Sequence, residues 1–329
     1  MKKFIYLLGF VLVGLLSSCA KENPFFGDEK SDGKVFVSIK VDGFEQELVP
    51  FPKPSTASAE KGIFSETPGS GSTDLRDHIN MLDIYVYHST NPNPVDYVRQ
   101  YADDDNFGVY EKYFDGNPSP LYIAFHGIKL EDGESVEWVN VERRQDIGVR
   151  IAPKPKEAFF VAQQLSMRDG GGTFPSLKLS RYVGRLDLSL EEELPDINGY
   201  LNITIENTGK YFNPFGGYGF HEIPGAGDPP YQTFNAVPIS TEEMDNGVFN
   251  TSIYFIPTET IKSGPTSVTV KIAAYDDDNN LVKEMSIPNV LIQGNKITKL
   301  KGTIFTFPNL IQEVGLEDRW DGEFPEREF

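Results

Sequence analysis

The chain has 329 residues, of which 39% are hydrophobic, a single cysteine, and a formal net charge of −19. This is enough apolar material for a sizeable core and more length than one domain usually takes, so two domains are the starting expectation. So acidic a chain is not built to hold nucleic acid or an anionic membrane surface, and one cysteine excludes an intrachain disulfide framework and a cysteine-based metal site.

In chain order, Lys2 and Lys3 precede an uncharged apolar run from Phe4 to Leu16, and then come Ser17, Ser18 and Cys19. A basic end, an apolar core and small residues before a cut site make a secretory signal over residues 1–18. The core falls short of the roughly 20 apolar residues that span a bilayer. Leu16-Ser17-Ser18-Cys19 resembles the bacterial lipobox. That resemblance implies cleavage before Cys19, a diacylglycerol on its thiol and a further acyl chain on the new amino terminus. One acyl chain holds marginally, whereas two or more hold stably, at about 0.8 kcal/mol per buried methylene. Cys19 is therefore the expected lipid attachment site, and the mature chain, at −21 without the two lysines, has no free thiol. A tether over 19–33 follows. Its Lys21-Glu22 reads equally as a surface-export signal of Bacteroidetes lipoproteins or as a charged linker.

The rest reads as short strands. Lys34 to Val41 alternates, with Val35, Val37, Ile39 and Val41 on one face. Residues 50–73 are rich in Pro, Ser, Gly and Thr and read as a long loop. Leu82 to Tyr87 alternates again, Leu121 to Phe125 and Glu157 to Leu165 read as buried strands, and 136–151 supplies two more. Arg168 to Pro175, with three consecutive glycines and a proline, reads as a break that cannot continue a strand. It sets the expected domain boundary, giving 34–175 and 176–329. Beyond it, 184–190, 201–205, 248–256 and 296–305 read as strands. Ser267 to Ile287 is a hairpin about Asp276–Asn280, and Asn213 to Pro230 is a Gly- and Pro-rich loop. The charged, aromatic stretch at 313–329 reads as an exposed tail or edge. No helical period persists over twelve residues. The expected fold is all-β, as two tandem β-sandwich domains.

Motifs for chemistry are missing. His78, His88, His126 and His221 have no metal-ligand spacing, although His88 and His126 each follow a strand and could meet. Asp276, Asp278 and Asn280 imitate the opening of a calcium loop, but Ile287 stands where its bidentate glutamate belongs, and a polar turn is the simpler reading. Asp103 to Asp105 reads as a solvated loop. GGYGF at 216–220 precedes no helix, there is no GxSxG, and no carboxylate pair stands out. Trp138, Trp320 and the tyrosines could stack on sugars, though core packing accounts for most. No catalytic residue, metal site or cofactor is expected.

Taken together, the lipobox, LRDHINMLDIYVYH at 75–88, LKLSRYVGRLDLSL at 177–190 and NKITKLKGTIF at 295–305 resemble the fimbrillin-associated proteins of Bacteroidetes, in particular the anchor subunits of type V pili. The resemblance implies two transthyretin-like, Greek-key sandwiches of about seven strands each, and an outer-membrane lipoprotein at the cell surface. Its implied partners are fimbrial subunits joined by strand exchange, and the membrane itself through the acyl chains on Cys19. Related stalk subunits lose the lipidated segment to an arginine-specific protease. Here Arg76 is the first arginine of the chain, so it is the one candidate cut site of that kind before Asp77, and a cut there would discard the strand at 35–41. The expected role is an anchor that keeps its lipid. The alternatives are a stalk or tip adhesin and a surface glycan-binding lipoprotein, which exposed aromatic platforms would favour. A glycoside hydrolase is the remaining reading.

Overall fold

The computed structural model describes residues 34–44, 74–88, 94–115, 120–139, 147–166, 171–192, 199–220, 232–239, 248–260, 263–305 and 309–311. In chain order these form β1 (Lys34–Phe44), the short helix α1 (Leu75–His78), β2 (Met81–His88), β3 (Pro94–Tyr101), β4 (Val109–Asp115) and β5 (Leu121–Ile128). Then come β6 (Ser135–Val139), β7 (Gly148–Ala152), β8 (Ala158–Leu165), β9 (Gly171–Thr173), β10 (Leu177–Arg181) and β11 (Gly184–Glu191). Next are β12 (Tyr200–Glu206), β13 (Tyr211–Asn213), β14 (Tyr218–Phe220), β15 (Gln232–Pro238) and β16 (Val248–Phe255). The last are β17 (Thr266–Tyr275), β18 (Leu281–Ile292), β19 (Ile297–Thr303) and β20 (Asn309–Ile311). The protein is all-β, as the alternating pattern requires.

The largest sheet runs β3-β2-β5-β8-β10-β1-β4, with β9 also paired to β1. Side chains from both ends of that order share one core: Val35, Val37, Ile39 and Val41 of β1 pack with Leu82, Ile84 and Val86 of β2 and with Leu121, Ile123 and Phe125 of β5. The sheet therefore folds over on itself into two layers. A second core lies between the sheets β16-β11-β19-β20 and β15-β12-β17-β18, where Leu186, Leu188 and Leu190 pack with Leu201, Ile203 and Ile205. Period-2 burial produces both cores, since alternate residues of a strand point to one face.

A fourth sheet, β14-β13-β7-β6, draws strands from both sides of residue 175. Its two hairpins meet at the pair Phe212↔Val149. Around it a third core joins Met81, Ile128, Val149 and Ile151 to Tyr182, Val183, Phe212 and Ile256. The Tyr182 and Phe212 rings stack at 3.7 Å.

Several local expectations change. Within the stretch read as a break, Gly171, Gly172 and Thr173 form β9, paired in parallel with Phe36–Ser38 of β1. Phe174 N also donates to Ser38 O at 2.8 Å. Glycine weakens a strand but leaves its backbone free to pair, and β1 supplies the partners. β10 lies beyond residue 175, yet it too pairs with β1, through Val41↔Leu177 and Phe44↔Leu179. The chain then passes to β11 through Tyr182 and Val183, both fully buried. Part of the expected 213–230 loop is strand, in β14. β3, β4 and β15 carry no signal that period-2 reading would find. On β3 the pattern is inverted, with Val95, Tyr97 and Tyr101 exposed and Gln100 buried.

At the passage between the cores, Arg181 is buried. It donates through Nε and Nη2 to Glu157 Oε1 and through Nη1 to Asn295 Oδ1. Its guanidinium lies 5.3 Å from the centre of the Phe159 ring. Gly184 follows at a point of close approach. A Cβ there would run into the Phe255 ring and stand 2.6 Å from the Gln293 carbonyl oxygen. Gly184→Ala is expected to cost about 1–3 kcal/mol, the usual size of an overpacking penalty. Urea unfolding should show a lower midpoint at an unchanged slope.

Candidate functional site

β1 is the part of the molecule nearest in sequence to the expected tether, and it is an interior strand. On one side Lys34–Lys40 pairs antiparallel with Val109–Asp115 of β4. On the other, β9 and β10 pair with it in parallel. Between Val41 and Phe44 the register shifts against Leu177–Leu179, leaving one extra residue on β1. Gly43 lies in this bulge with φ 149°, a conformation that L side chains rarely adopt. The bulge delivers Phe44 against Phe159, at 4.7 Å between ring centres, and against His78 at 5.3 Å. Val35, Val37, Ile39 and Val41 are all buried. At about 2 kcal/mol for each aliphatic side chain, β1 contributes roughly 8 kcal/mol of burial before the entropy of ordering it.

Arg76 sits in α1. Asp74 caps the helix by accepting from Arg76 N at 3.0 Å, Ile79 N donates to Leu75 O at 2.9 Å, and Leu75 is buried in the core that β1 lines. The exposed Arg76 side chain reaches the turn between β3 and β4. Nε donates to Ala102 O at 2.8 Å and Nη2 to Asp104 O at 3.1 Å, while the guanidinium lies 5.3 Å from the Phe107 ring centre. The same turn closes on β1, where Val41 N donates to Gly108 O at 2.8 Å. Helix, turn and first strand thus hold one another. The Arg76–Asp77 bond lies within a helical turn, whereas a protease that takes its substrate as an extended chain needs that turn opened.

Cys19, the signal segment, the tether, the 50–73 loop, His221, Trp320 and the 313–329 stretch lie outside the described residues. The other residues singled out above fall apart as a set. His126 stands opposite Asp83 in the middle of β5, while His88 pairs with Leu121 at the strand's other end, so the two do not meet. Among the described residues no group of three or more His, Cys, Asp or Glu is placed to hold a metal ion. Asp276 accepts from Asn280 N at 2.7 Å and from Asn280 Nδ2 at 3.1 Å, bonds that hold its carboxyl below the usual carboxylate range. Asn279 beside it has φ 63°, a turn conformation. Asp104 Oδ2 accepts from Tyr101 N at 2.7 Å and likewise shapes a turn. In GGYGF, the Asn213 side chain gathers Phe215 N and Gly216 N, and a Cβ on Gly219 would collide with the Pro257 carbonyl.

One polar cluster escaped sequence reading. Asp83, fully buried on β2, accepts from Arg99 Nε at 2.7 Å and Nη2 at 2.8 Å, from Tyr97 OH at 2.9 Å, and from Trp138 Nε1 at 2.9 Å. Trp138 stacks on Tyr85 at 3.6 Å, so its ring packs within the fold. His126, also fully buried, bonds through Nε2 with Tyr182 OH at 3.0 Å. Its Nδ1 has no partner among the described residues. Burial pushes this imidazole down to about 4; Asp83 opposes the shift and Arg99 adds to it. The one trace in the sequence is an aspartate in an otherwise apolar strand, since both faces of β2 are buried.

No family model matches the chain and no curated protein matches it. Solved structures similar to it include a candidate adhesin of Bacteroides ovatus, at 10% identity and TM-score 0.49, covering 84% of this chain and 88% of that one. The fimbrial anchor protein Mfa2 of Porphyromonas gingivalis is similar at 8% identity and TM-score 0.49, covering 85% and 95%. A candidate polysaccharide-binding protein of Bacteroides thetaiotaomicron is similar at 8% identity and TM-score 0.46, covering 86% and 99%.

His126 makes stability depend on pH. An unfolded imidazole titrates near 6.5, and the folded one near 4. The buried neutral ring therefore contributes fully above about pH 6.5, and its contribution is lost as pH falls toward 4. The loss is on the order of 3 kcal/mol at the acid end. His126→Phe is expected to remove that part of the fall. The check is the difference between parent and variant in urea unfolding at pH 7.5 and pH 4.5.

Proposed function

We propose that the protein is a lipid-anchored subunit that holds a fimbria-like polymer to the outer membrane and joins its neighbour by strand exchange. In this reading it is a binding and assembly protein, not an enzyme. In this reading it has two sandwich-type domains, with β10 counted in the first and the chain passing to the second at Tyr182–Val183. The acyl chains on Cys19 supply the membrane affinity. Main-chain pairing of an added strand supplies affinity for the next subunit, with alternate side chains fixing its register.

One observation carries the reading. β1 lies between the lipobox cysteine and the first arginine of the chain, and it is paired on both sides, by β4 and by β9 and β10. Removing the tether at Arg76 would take β1 out of the sheet and open its core. The capped helix and the bonds of Arg76 to Ala102 and Asp104 oppose that cut in the folded protein. A tether continuous with an interior strand suits a subunit that stays on the membrane. A stalk or tip subunit would instead shed it.

Mass spectrometry of the protein taken from cells decides between these. The expected mature amino terminus is a triacylated Cys19, with Cys19→Ala leaving the membrane fraction. An unlipidated terminus at Asp77 would rule the anchor out. Purified protein treated with an arginine-specific protease under native conditions should keep the Arg76–Asp77 bond uncut, and Arg76→Lys, which loses the planar fork, should loosen the β3–β4 turn as read by hydrogen exchange.

A further inference from the structure

β3 wears its side chains the wrong way round for a strand placed only by core packing. Val95, Tyr97 and Tyr101 are 38%, 43% and 51% exposed, and they share the outward face of one eight-residue edge strand. Of the inward positions, Val98 packs against the core and the two on either side of it make polar bridges toward β4. Asp96 takes a bond from Tyr110 OH at 2.8 Å and an ion pair from Lys112 at 2.6 Å. Gln100 donates to Val109 O at 2.7 Å and accepts from Gly108 N at 2.9 Å. Folding thus explains Asp96 and Gln100 and the anchored edge of Tyr97, but it does not call for Val95, the open part of the Tyr97 ring or Tyr101 on an outward face.

We propose that this face of β3 binds a neutral oligosaccharide, with Tyr97 and Tyr101 as stacking platforms and Arg99 as the hydrogen-bond donor between them. Tyr97 and Arg99 are preorganised. Tyr97 is held by its hydroxyl on buried Asp83, and its ring lies 4.5 Å from Tyr85, which in turn stacks on Trp138. Arg99 is fixed by two bonds to Asp83, and its Nη1 has no partner among the described residues. Rings that do not have to be ordered on binding lose little entropy there. Tyr97 and Tyr101 stand four residues apart on a strand, about 13 Å at the usual rise. That is longer than one sugar ring and asks for an oligosaccharide.

Charge excludes an acidic occupant. The Arg99 cation is balanced by Asp83, so the strip offers no net attraction to an anion, and the chain as a whole carries −19. A second copy and an acidic partner or sugar are both repelled. A neutral saccharide brings C–H faces for the rings and hydroxyls for Arg99 and pays no charge penalty. This inference is independent of the anchor role, since saccharide binding by β3 requires neither acyl chains on Cys19 nor strand exchange with a neighbour.

The test is affinity electrophoresis of the full mature chain in native gels that hold neutral α-glucan, β-glucan or mannan, joined to a neutral-glycan array. Retardation on at least one polymer is expected. Tyr101→Ala, which touches none of the Asp83 bonds, should weaken it about tenfold. Tyr97→Phe, which keeps the ring, should retain it. Circular dichroism and the melting temperature of Tyr101→Ala should match the parent. Equal mobility in every gel with no array signal overturns the proposal. So does retardation that survives Val95→Ser combined with Tyr101→Ala, and so does a parent dimer that Tyr101→Ala dissociates, which would make the strip an interface between copies.

Discussion

The pairing of β1 with β9 and β10 is the constraint on which the first half of the molecule depends. It is a parallel pairing between residues 36–44 and residues 171–179, so the sheet is complete only when its earliest and latest strands meet. Such a contact carries a large loop-closure cost and is repaid only by burial. The repayment is the core lined by Val35, Val37, Ile39 and Val41. Around it the Asp74-capped helix, the Arg76 bonds and the β3–β4 turn fall into place. The region joined to the expected tether is thereby also the region that finishes the fold.

Two buried charged groups hold further layers to that sheet. Asp83 binds Arg99, Tyr97 and Trp138 and so fastens β3 and β6 to β2. Arg181 binds Glu157 and Asn295, and Asn295 N donates in turn to Val183 O. A buried charge is tolerable only when its lone pairs or protons are filled, and removing one partner of such a pair typically costs about 3–5 kcal/mol. These groups therefore favour one arrangement of layers over its neighbours. The bonds to Glu157 and Asn295 also explain why Arg181 of the LKLSRYVGRLDLSL segment lies inside the protein instead of on its surface.

Strand positions were largely legible. β1, β2, β11, β12 and β17 announce themselves by alternating Val, Ile and Leu, because alternate residues of a strand share a face, and β5 by its apolar run. The hairpin about Asp276 was legible from its turn chemistry. β3 was not, because Asp96 and Gln100 take inward positions on it, and β4 was not, because Lys112 stands between its buried Tyr110 and Phe114. The Gly171 stretch was misread as a break, since the partner that turns it into β9 lies more than 130 residues earlier. Of the candidate site, Arg76 was visible as the first arginine, but its bonds to Ala102 and Asp104 were not.

By itself the sequence determined the class of the fold, the inward faces of most strands, the single cysteine in a lipobox-like setting and the order of that cysteine, the first strand and the first arginine. These are local properties, written in residue type and spacing. Only the tertiary structure decided that the first strand is interior, that the passage between the cores is the buried pair Tyr182–Val183, and that β3 turns its tyrosines outward over a buried aspartate. Each of these depends on which distant backbone or side chain supplies the partner, and pairing across long separations leaves no period in the chain.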